Sequence, residues 1–234
     1  MLLLFWLVYK RPIRQVGLHT AGWYKHLLFG GAFGTAAILL ATIILLVTGT
    51  ARFDSADWNG LLNALFWIGL MRYIFVGFFE ELLSRGVMMT ALKTTRNKWI
   101  IIFLPAVIFG LLHALNDNVT FFSLCNIALV GVLFAYLFIR TGRLWAPIGF
   151  HITWNFVQGN VLGIPVSGGS DFSVIQTLFT GPDWLTGGAF GVEGGAACTL
   201  VLALGLAFVH FCIKQRDYCW RIDSDLPLTR GPIN

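Results

Sequence analysis

Apolar residues are grouped along this chain in runs about as long as a bilayer is thick. Such runs cover 27–48, 60–79 with a helical continuation to about 92, 99–115, 119–139, 144–162 and 196–213. A helix of roughly 20 mainly apolar residues can cross the hydrocarbon core. The pattern therefore predicts an all-α, polytopic transmembrane helix bundle of about six spans.

The first nine residues are also apolar, but they are too few to span a bilayer. Basic residues follow this run instead of preceding it and no small-x-small cleavage site is visible, so we expect no signal peptide. We expect a short N-terminal interfacial helix instead. The predicted organisation is a cytoplasmic and interfacial segment at 1–26, a transmembrane domain at 27–213 and a cytoplasmic tail at 214–234.

Composition agrees with a membrane location. Hydrophobic residues make up 57% of the chain and charged residues 12%, about half the charged fraction of an ordinary soluble domain. The formal charge of +5 does not indicate a nucleic-acid partner, because the basic residues flank apolar runs and form no continuous patch. No CxxC pair occurs, so neither a disulfide framework nor a cysteine metal site is expected. The four cysteines are Cys125, Cys198, Cys212 and Cys219.

The basic residues predict the topology. Thirteen of the sixteen Lys and Arg residues flank the spans on one side of the predicted membrane, Arg52 lies on the other side, and Arg72 and Arg85 lie in or beside the second span. By the positive-inside rule both termini are cytoplasmic and the number of spans is even. We expect an integral protein of a bacterial plasma membrane.

Two features of the predicted topology need an explanation, namely a charged residue inside a span and a long polar segment. Arg72 lies inside the second span, where we expect it to pair with a buried carboxylate or to snorkel to an interface. The segment 159–195 is long and rich in Gly, Ser, Pro and Asp. Because coil cannot face lipid, we expect this segment to be an external loop, to line a cavity, or both.

Few ionisable side chains interrupt the apolar runs, and each costs roughly 2.5–3.5 kcal/mol to insert. Glu81 and Arg85 are four residues apart, so they share a helix face and can pair. Glu80 is rotated from Glu81 by about 100°. We expect Glu80 to remain unpaired, as a candidate general base.

Histidines extend the candidate site to two further spans. Phe109 and His113 are four residues apart on the third span, and His151 and Asn155 have the same spacing on the fifth. We expect these side chains to converge with Glu80 on one polar cavity. For that to happen the second helix must continue beyond 79, so we predict one long or tilted helix over about 58–94.

Two kinds of hydrolytic chemistry suit these residues. Glu80, His113 and His151 could hold zinc, although the HExxH spacing is absent. Alternatively, Glu80 helped by His113 deprotonates a water, and His151 and Asn155 donate hydrogen bonds to the oxyanion. No serine or cysteine stands in a recognisable nucleophile motif.

The three motifs occur in the order of a known family. Residues 80–85 match EExxxR, residues 109–113 match FxxxH and residues 151–155 match HxxxN. Together they resemble the CAAX protease and bacteriocin-processing (Abi) family of intramembrane endopeptidases. The stretch "LTGGAFGVEGG" also resembles bacterial members.

This resemblance implies an all-helical membrane fold and hydrolysis of a peptide bond. It implies that Glu80 is the base and that His113 assists it, and that His151 and Asn155 form the oxyanion site. The residues expected to support this geometry are Glu81, Arg85 and Phe109. No cofactor is expected, although older descriptions treat the family as metalloproteases, which keeps zinc as the alternative.

Other functions stay open at this point. A non-catalytic bacteriocin self-immunity or scaffold protein would keep the same fold, and a proton-coupled carrier would also use buried Glu and His. Visible half-chain repeats are missing, which is unfavourable to a carrier. The expected partners are the lipid bilayer and a protein or peptide substrate that enters from the membrane or the cytosol, prenylated or not.

Overall fold

The computed structural model describes residues 16–214. The interfacial helix predicted near the N-terminus, Cys219 and nearly all of the predicted tail lie outside this range. Within it, the fold is mostly helical, as predicted. The six long helices are α1 (Trp23–Val47), α2 (Ala64–Glu81), α3 (Lys98–Leu112), α4 (Phe121–Thr141), α5 (Trp145–Phe156) and α6 (Ala196–Cys212).

Each long helix coincides with one predicted apolar run. Helices α1 and α4 are long and apolar enough to cross a membrane by themselves, whereas α3 and α6 are shorter apolar helices. The number of spans therefore stays a prediction.

The helical path of the second run continues far beyond α2, as the meeting of Glu80 and His113 required. A π-helix (Leu82–Met88), a short α-helix (Met89–Leu92) and a 3-10 turn (Lys93–Thr95) follow α2 directly. At its start the predicted single helix is wrong. Asn63 is extended, with ψ 132°, and its side chain caps α2 by accepting the Leu65 N–H, so the 3-10 turn Trp58–Leu62 is separate.

Helices α1 and α5 pack with their backbones in close approach. A Cβ atom on Gly149 would lie 2.1 Å from the Leu27 carbonyl oxygen, and one on Gly30 would lie 1.9 Å from that of Ala146. Small residues permit such contacts between apolar helices. Around this pair, residues of α1, α4, α5 and α6 form the main core, including Ile38, Leu45, Leu137, Phe150, Trp154 and Leu202.

The prediction of a purely α-helical fold is corrected by a small sheet. Strands β1 (Ala51–Ala56) and β2 (Ile175–Phe179) pair antiparallel, with Ala51 opposite Phe179. Both strands lie in connections between helices, where the backbone has no helical partners and satisfies its N–H and C=O groups across the pair. The segment 159–195 contains β2, a short helix (Asp183–Thr186) and two 3-10 turns.

Helix α2 exposes a continuous apolar stripe. Five large side chains on one side of the helix are each more than half exposed: Trp67, Ile68, Met71, Phe75 and Phe79. A stripe of this size would be unfavourable in water. It suits contact with lipid chains, as the hydropathy predicts.

Candidate active site

A cavity of about 430 Å³ lies among α2, α3, α4, α5, α6 and the segment 159–195. The structure brings all four predicted catalytic side chains to its walls. These are Glu80, His113, His151 and Asn155, and Phe109 lines the cavity with them. Glu81 and Arg85 do not line it, and both are fully buried.

The predicted pair between Glu81 and Arg85 is confirmed. Arg85 Nη1 lies 2.9 Å from Glu81 Oε1, with both side chains at most 1% exposed. The Arg85 guanidinium also lies 4.4 Å from the centroid of the Phe109 ring and 5.1 Å from that of Phe134. Two aromatic faces and a carboxylate thus compensate a charge that has no access to solvent.

Glu81 has a second partner that the spacing did not predict. Its Oε1 atom lies 2.9 Å from His151 Nδ1. Because a carboxylate can only accept, Nδ1 carries the proton in this contact. The remaining ring nitrogen, Nε2, points toward Glu80 and lies 3.9 Å from its Oε2.

Glu80 remains outside this ion pair, as predicted. Its side chain is 36% exposed, while its Oε2 atom is buried and has no hydrogen-bond partner. The two adjacent glutamates therefore differ in their contacts. Glu81 is held by Arg85 and His151, and Glu80 presents an uncommitted carboxylate oxygen beside His151.

His113 caps the C-terminal end of α3. Its Nδ1 atom lies 2.8 Å from the Phe109 carbonyl oxygen, so Nδ1 carries the proton and Nε2 of a neutral ring is an acceptor. The Phe109 ring contacts both histidines, with centroids 5.0 Å from His113 and 6.2 Å from His151. Phe109 thus packs against both imidazoles.

The helix geometry becomes irregular just after two of the site residues, Glu81 and Asn155. The π-helix Leu82–Met88 begins directly after Glu81, and a second π-helix, Val157–Val161, begins two residues after Asn155. Such wide turns occur frequently at functional sites, because they reorient the side chains around them.

Arg72 pairs with a buried carboxylate, which is the first of its two predicted arrangements. Its guanidinium hydrogen-bonds to Asp171, and the Tyr73 hydroxyl donates to the same carboxylate oxygen. The Asp171 side chain is 9% exposed and the Arg72 side chain 51%. Asp171 belongs to the segment 159–195, so this cluster ties that segment to α2 beside the cavity.

Glu193 is a cavity residue that the predicted site does not include, although it lies in the stretch "LTGGAFGVEGG". It is 8% exposed and accepts hydrogen bonds from Gln158 Nε2 at 2.6 Å and Trp154 Nε1 at 3.4 Å. Burial raises the pKa of Glu193 above its ordinary value, and the hydrogen bonds oppose this rise. It was missed because it lies in non-helical chain, where no residue spacing indicates a shared face.

The side chains do not form a preassembled metal site. Within residues 16–214, no three His, Cys, Asp or Glu side chains are grouped so that they could hold a metal ion. Each candidate histidine uses Nδ1 in a hydrogen bond, so Nε2 is the ring nitrogen that could bind a ligand. Cys125, Cys198 and Cys212 are free thiols.

Comparisons with known proteins agree with the motifs. The family described as Type II CAAX prenyl endopeptidase Rce1-like matches residues 62–157, the segment that carries all three motifs. A Bacillus subtilis (strain 168) protein named "Putative membrane peptidase YdiL" is 30% identical over 112 residues. That alignment spans 47% of this chain and 43% of the relative. No solved structure matches significantly.

The matched segment, the three ordered motifs within it and the apolar helices around it point the same way. This chain is a membrane protein, and its residues 62–157 are similar to the Type II CAAX prenyl endopeptidase Rce1-like family.

Proposed function

We propose that this protein is an intramembrane endopeptidase in which Glu80 activates the water that hydrolyses a peptide bond. One observation carries the proposal. Glu80 presents a buried carboxylate oxygen without a partner, 3.9 Å from His151 Nε2, while its neighbour Glu81 is committed to Arg85 and His151. A carboxylate in this setting is available as a general base.

The reaction then follows from the positions of the donors and acceptors. Glu80 takes a proton from water as the water oxygen attacks the carbonyl carbon, and Glu80 returns that proton to the leaving amine nitrogen. His113, with Nε2 as acceptor, assists in holding the water. Asn155 Nδ2 donates a hydrogen bond to the developing oxyanion. His151 donates to the same oxyanion from Nε2 as an imidazolium, because its Nδ1–H is already donated to Glu81.

The proposed reaction uses no cofactor. Zinc held by Glu80, His113 and His151 is the less favoured alternative, because the HExxH spacing is absent and Asn155 is a weak zinc ligand. The proposed substrate is a protein or peptide that reaches the cavity from the membrane or from the cytosolic side. No nucleic-acid partner is proposed.

The proposed location is a bacterial plasma membrane with both termini in the cytoplasm. The support is the apolar stripe on α2 together with the concentration of basic residues on one side of the apolar runs.

Hydrolysis by protein reconstituted in liposomes tests the mechanism. A peptide library is incubated with wild type, Glu80→Gln, His113→Ala and His151→Ala, and products are identified by mass spectrometry. We expect Glu80→Gln to lose about 10²- to 10⁴-fold in kcat. Asp54→Asn is the matched control, because Asp54 is a half-exposed carboxylate on β1.

Three outcomes would contradict the proposal. Unchanged hydrolysis by Glu80→Gln would exclude Glu80 as the base. Folded wild-type protein that cleaves no peptide would favour the non-catalytic immunity or scaffold alternative. Treatment with a chelator should leave activity intact, and a loss restored by Zn²⁺ would favour the metal alternative.

A further inference from the structure

The cavity holds a second buried carboxylate on the chain between α5 and α6. Glu193 lines the cavity together with His151 and Asn155. It accepts hydrogen bonds from the side chains of Trp154 and Gln158 and from the backbone N–H of Ser167. One carboxylate thus joins α5, the π-helix that follows it and the turn 166–169, which lines the cavity.

We propose that Glu193 is a positioning residue of the active site. By accepting these hydrogen bonds it holds the Trp154 indole and the turn 166–169 in place, so that the substrate meets Asn155 in a fixed geometry. This inference rests on the proposed endopeptidase function.

The Trp154 side chain is held from two directions. Glu193 Oε1 accepts its Nε1–H, and its ring stacks on Phe150 with centroids 5.8 Å apart and an interplanar angle of 13°. Phe150 precedes His151 and Trp154 precedes Asn155 in the chain. Release of the indole from Glu193 would therefore disturb the cavity wall next to both proposed oxyanion donors.

The turn 166–169 depends on the same carboxylate. Gln158 Nε2 donates to Glu193 Oε2 and to the Pro165 carbonyl oxygen, both at 2.6 Å. The two acceptors set the orientation of the Gln158 amide. Residues 166–169 line the cavity, so the hydrogen bonds around Glu193 also hold this part of the cavity wall in place.

The partners of Glu193 are all donors, and this makes the carboxylate hard to replace. A glutamine side chain would offer one acceptor oxygen and one NH₂ group, and the NH₂ would face another donor. Aspartate would keep two acceptor oxygens on a shorter side chain. Glutamine should therefore perturb the site more than aspartate does, although it has the same size as glutamate.

A neighbouring contact provides a control for general loosening. Asn126 Nδ2 donates to the backbone carbonyls of Glu193 and Gly195, and the Thr199 hydroxyl donates to Asn126 Oδ1 at 2.7 Å. Thr199→Val weakens the anchoring of the same segment without altering the Glu193 carboxylate.

The test combines kinetics with hydrogen exchange in proteoliposomes. We expect Glu193→Gln to lower kcat about tenfold to a hundredfold with little change in KM, and Glu193→Asp to recover part of the loss. Thr199→Val should stay close to wild type. Amides in the peptide that spans 163–169 should exchange faster in Glu193→Gln, but not in Thr199→Val.

The outcomes separate this inference from the function on which it rests. The positioning role would be overturned by a wild-type kcat in Glu193→Gln, or by equal losses of kcat in Glu193→Gln and Thr199→Val. In either case, inactivity of Glu80→Gln would still support the proposed function. Hydrolysis by Glu80→Gln would instead contradict the proposed mechanism, whatever the exchange data show.

Discussion

His151 Nδ1 and Glu81 Oε1 lie 2.9 Å apart, and the same carboxylate oxygen accepts a hydrogen bond from Arg85 Nη1. One oxygen atom therefore links the buried ion pair to the histidine that faces Glu80. Two further polar atoms of the pair, Glu81 Oε2 and Arg85 Nη2, are buried without hydrogen-bond partners. The Glu81 carboxylate thus orients His151, but each of the two charged side chains keeps one buried polar atom without a hydrogen bond.

Removal of the charge of Glu81 should destabilise the fold. In Glu81→Gln the fully buried Arg85 loses its counter-charge, so we expect the free energy of unfolding to fall by about 3–5 kcal/mol. Thermal unfolding in detergent measures the change. The double variant Glu81→Gln/Arg85→Met removes both charges and should regain much of the loss; a double variant less stable than Glu81→Gln would contradict the prediction.

The ion pair beside the cavity should matter much less for stability. Because the Arg72 side chain is half exposed, Asp171→Asn should lower the free energy of unfolding by about 0–1 kcal/mol. Comparison with Glu81→Gln in the same detergent is the measurement. A loss for Asp171→Asn as large as that for Glu81→Gln would show that this cluster carries more of the fold than its exposure indicates.

Close packing of α2 on α5 should be essential to the site. A Cβ atom on Gly77 would lie 2.8 Å from Ile152 Cγ1 and 3.2 Å from the Ile152 backbone nitrogen. We expect Gly77→Ala to cost about 1–3 kcal/mol of stability. The substitution should also lower kcat about a hundredfold, because it pushes α2 and its two glutamates away from His151 on α5.

Gly60→Ala is the control for this prediction, since a Cβ atom there would meet Phe172 and Val174 at 3.4–3.5 Å, an ordinary contact distance. Equal effects of the two substitutions on peptide hydrolysis would argue against a role for the α2–α5 spacing.

Glu193 should give the stability a pH dependence. Burial raises its pKa in the folded protein, so the folded state holds the proton to higher pH than the unfolded state does. This contribution to stability is complete below the ordinary pKa of 4.5 and is lost as pH rises through the raised value. Thermal unfolding measured from below pH 4.5 upward should show a decline in stability in wild type and a smaller decline in Glu193→Gln. Parallel stability profiles for the two proteins would contradict this prediction.

The local features of this protein follow from the order of its residues. The six apolar runs locate the six long helices within a few residues, because helix formation and burial in an apolar environment both depend on continuous local composition. The pairing of Glu81 with Arg85 follows from helix geometry alone, since side chains four residues apart share a face. That geometry also leaves Glu80 on a different face from its neighbour.

The irregular features could not be read in the same way. The π-helix Leu82–Met88, the extended residue Asn63 and the two-stranded sheet were not predicted. In each, the backbone path depends on contacts made elsewhere in the fold. Glu193 was missed for a related reason, because its donors, Trp154 and Gln158, lie 39 and 35 residues away in sequence.

The sequence by itself determined the helices, the neighbouring charges and the family motifs, all of which are encoded within a few turns of chain. The tertiary structure decided which of these side chains meet. Glu81 contacts His151 across 70 residues, and Arg72 contacts Asp171 across 99. Such contacts depend on how the helices cross and on where small residues such as Gly77 allow them to approach, which no periodicity along the chain specifies.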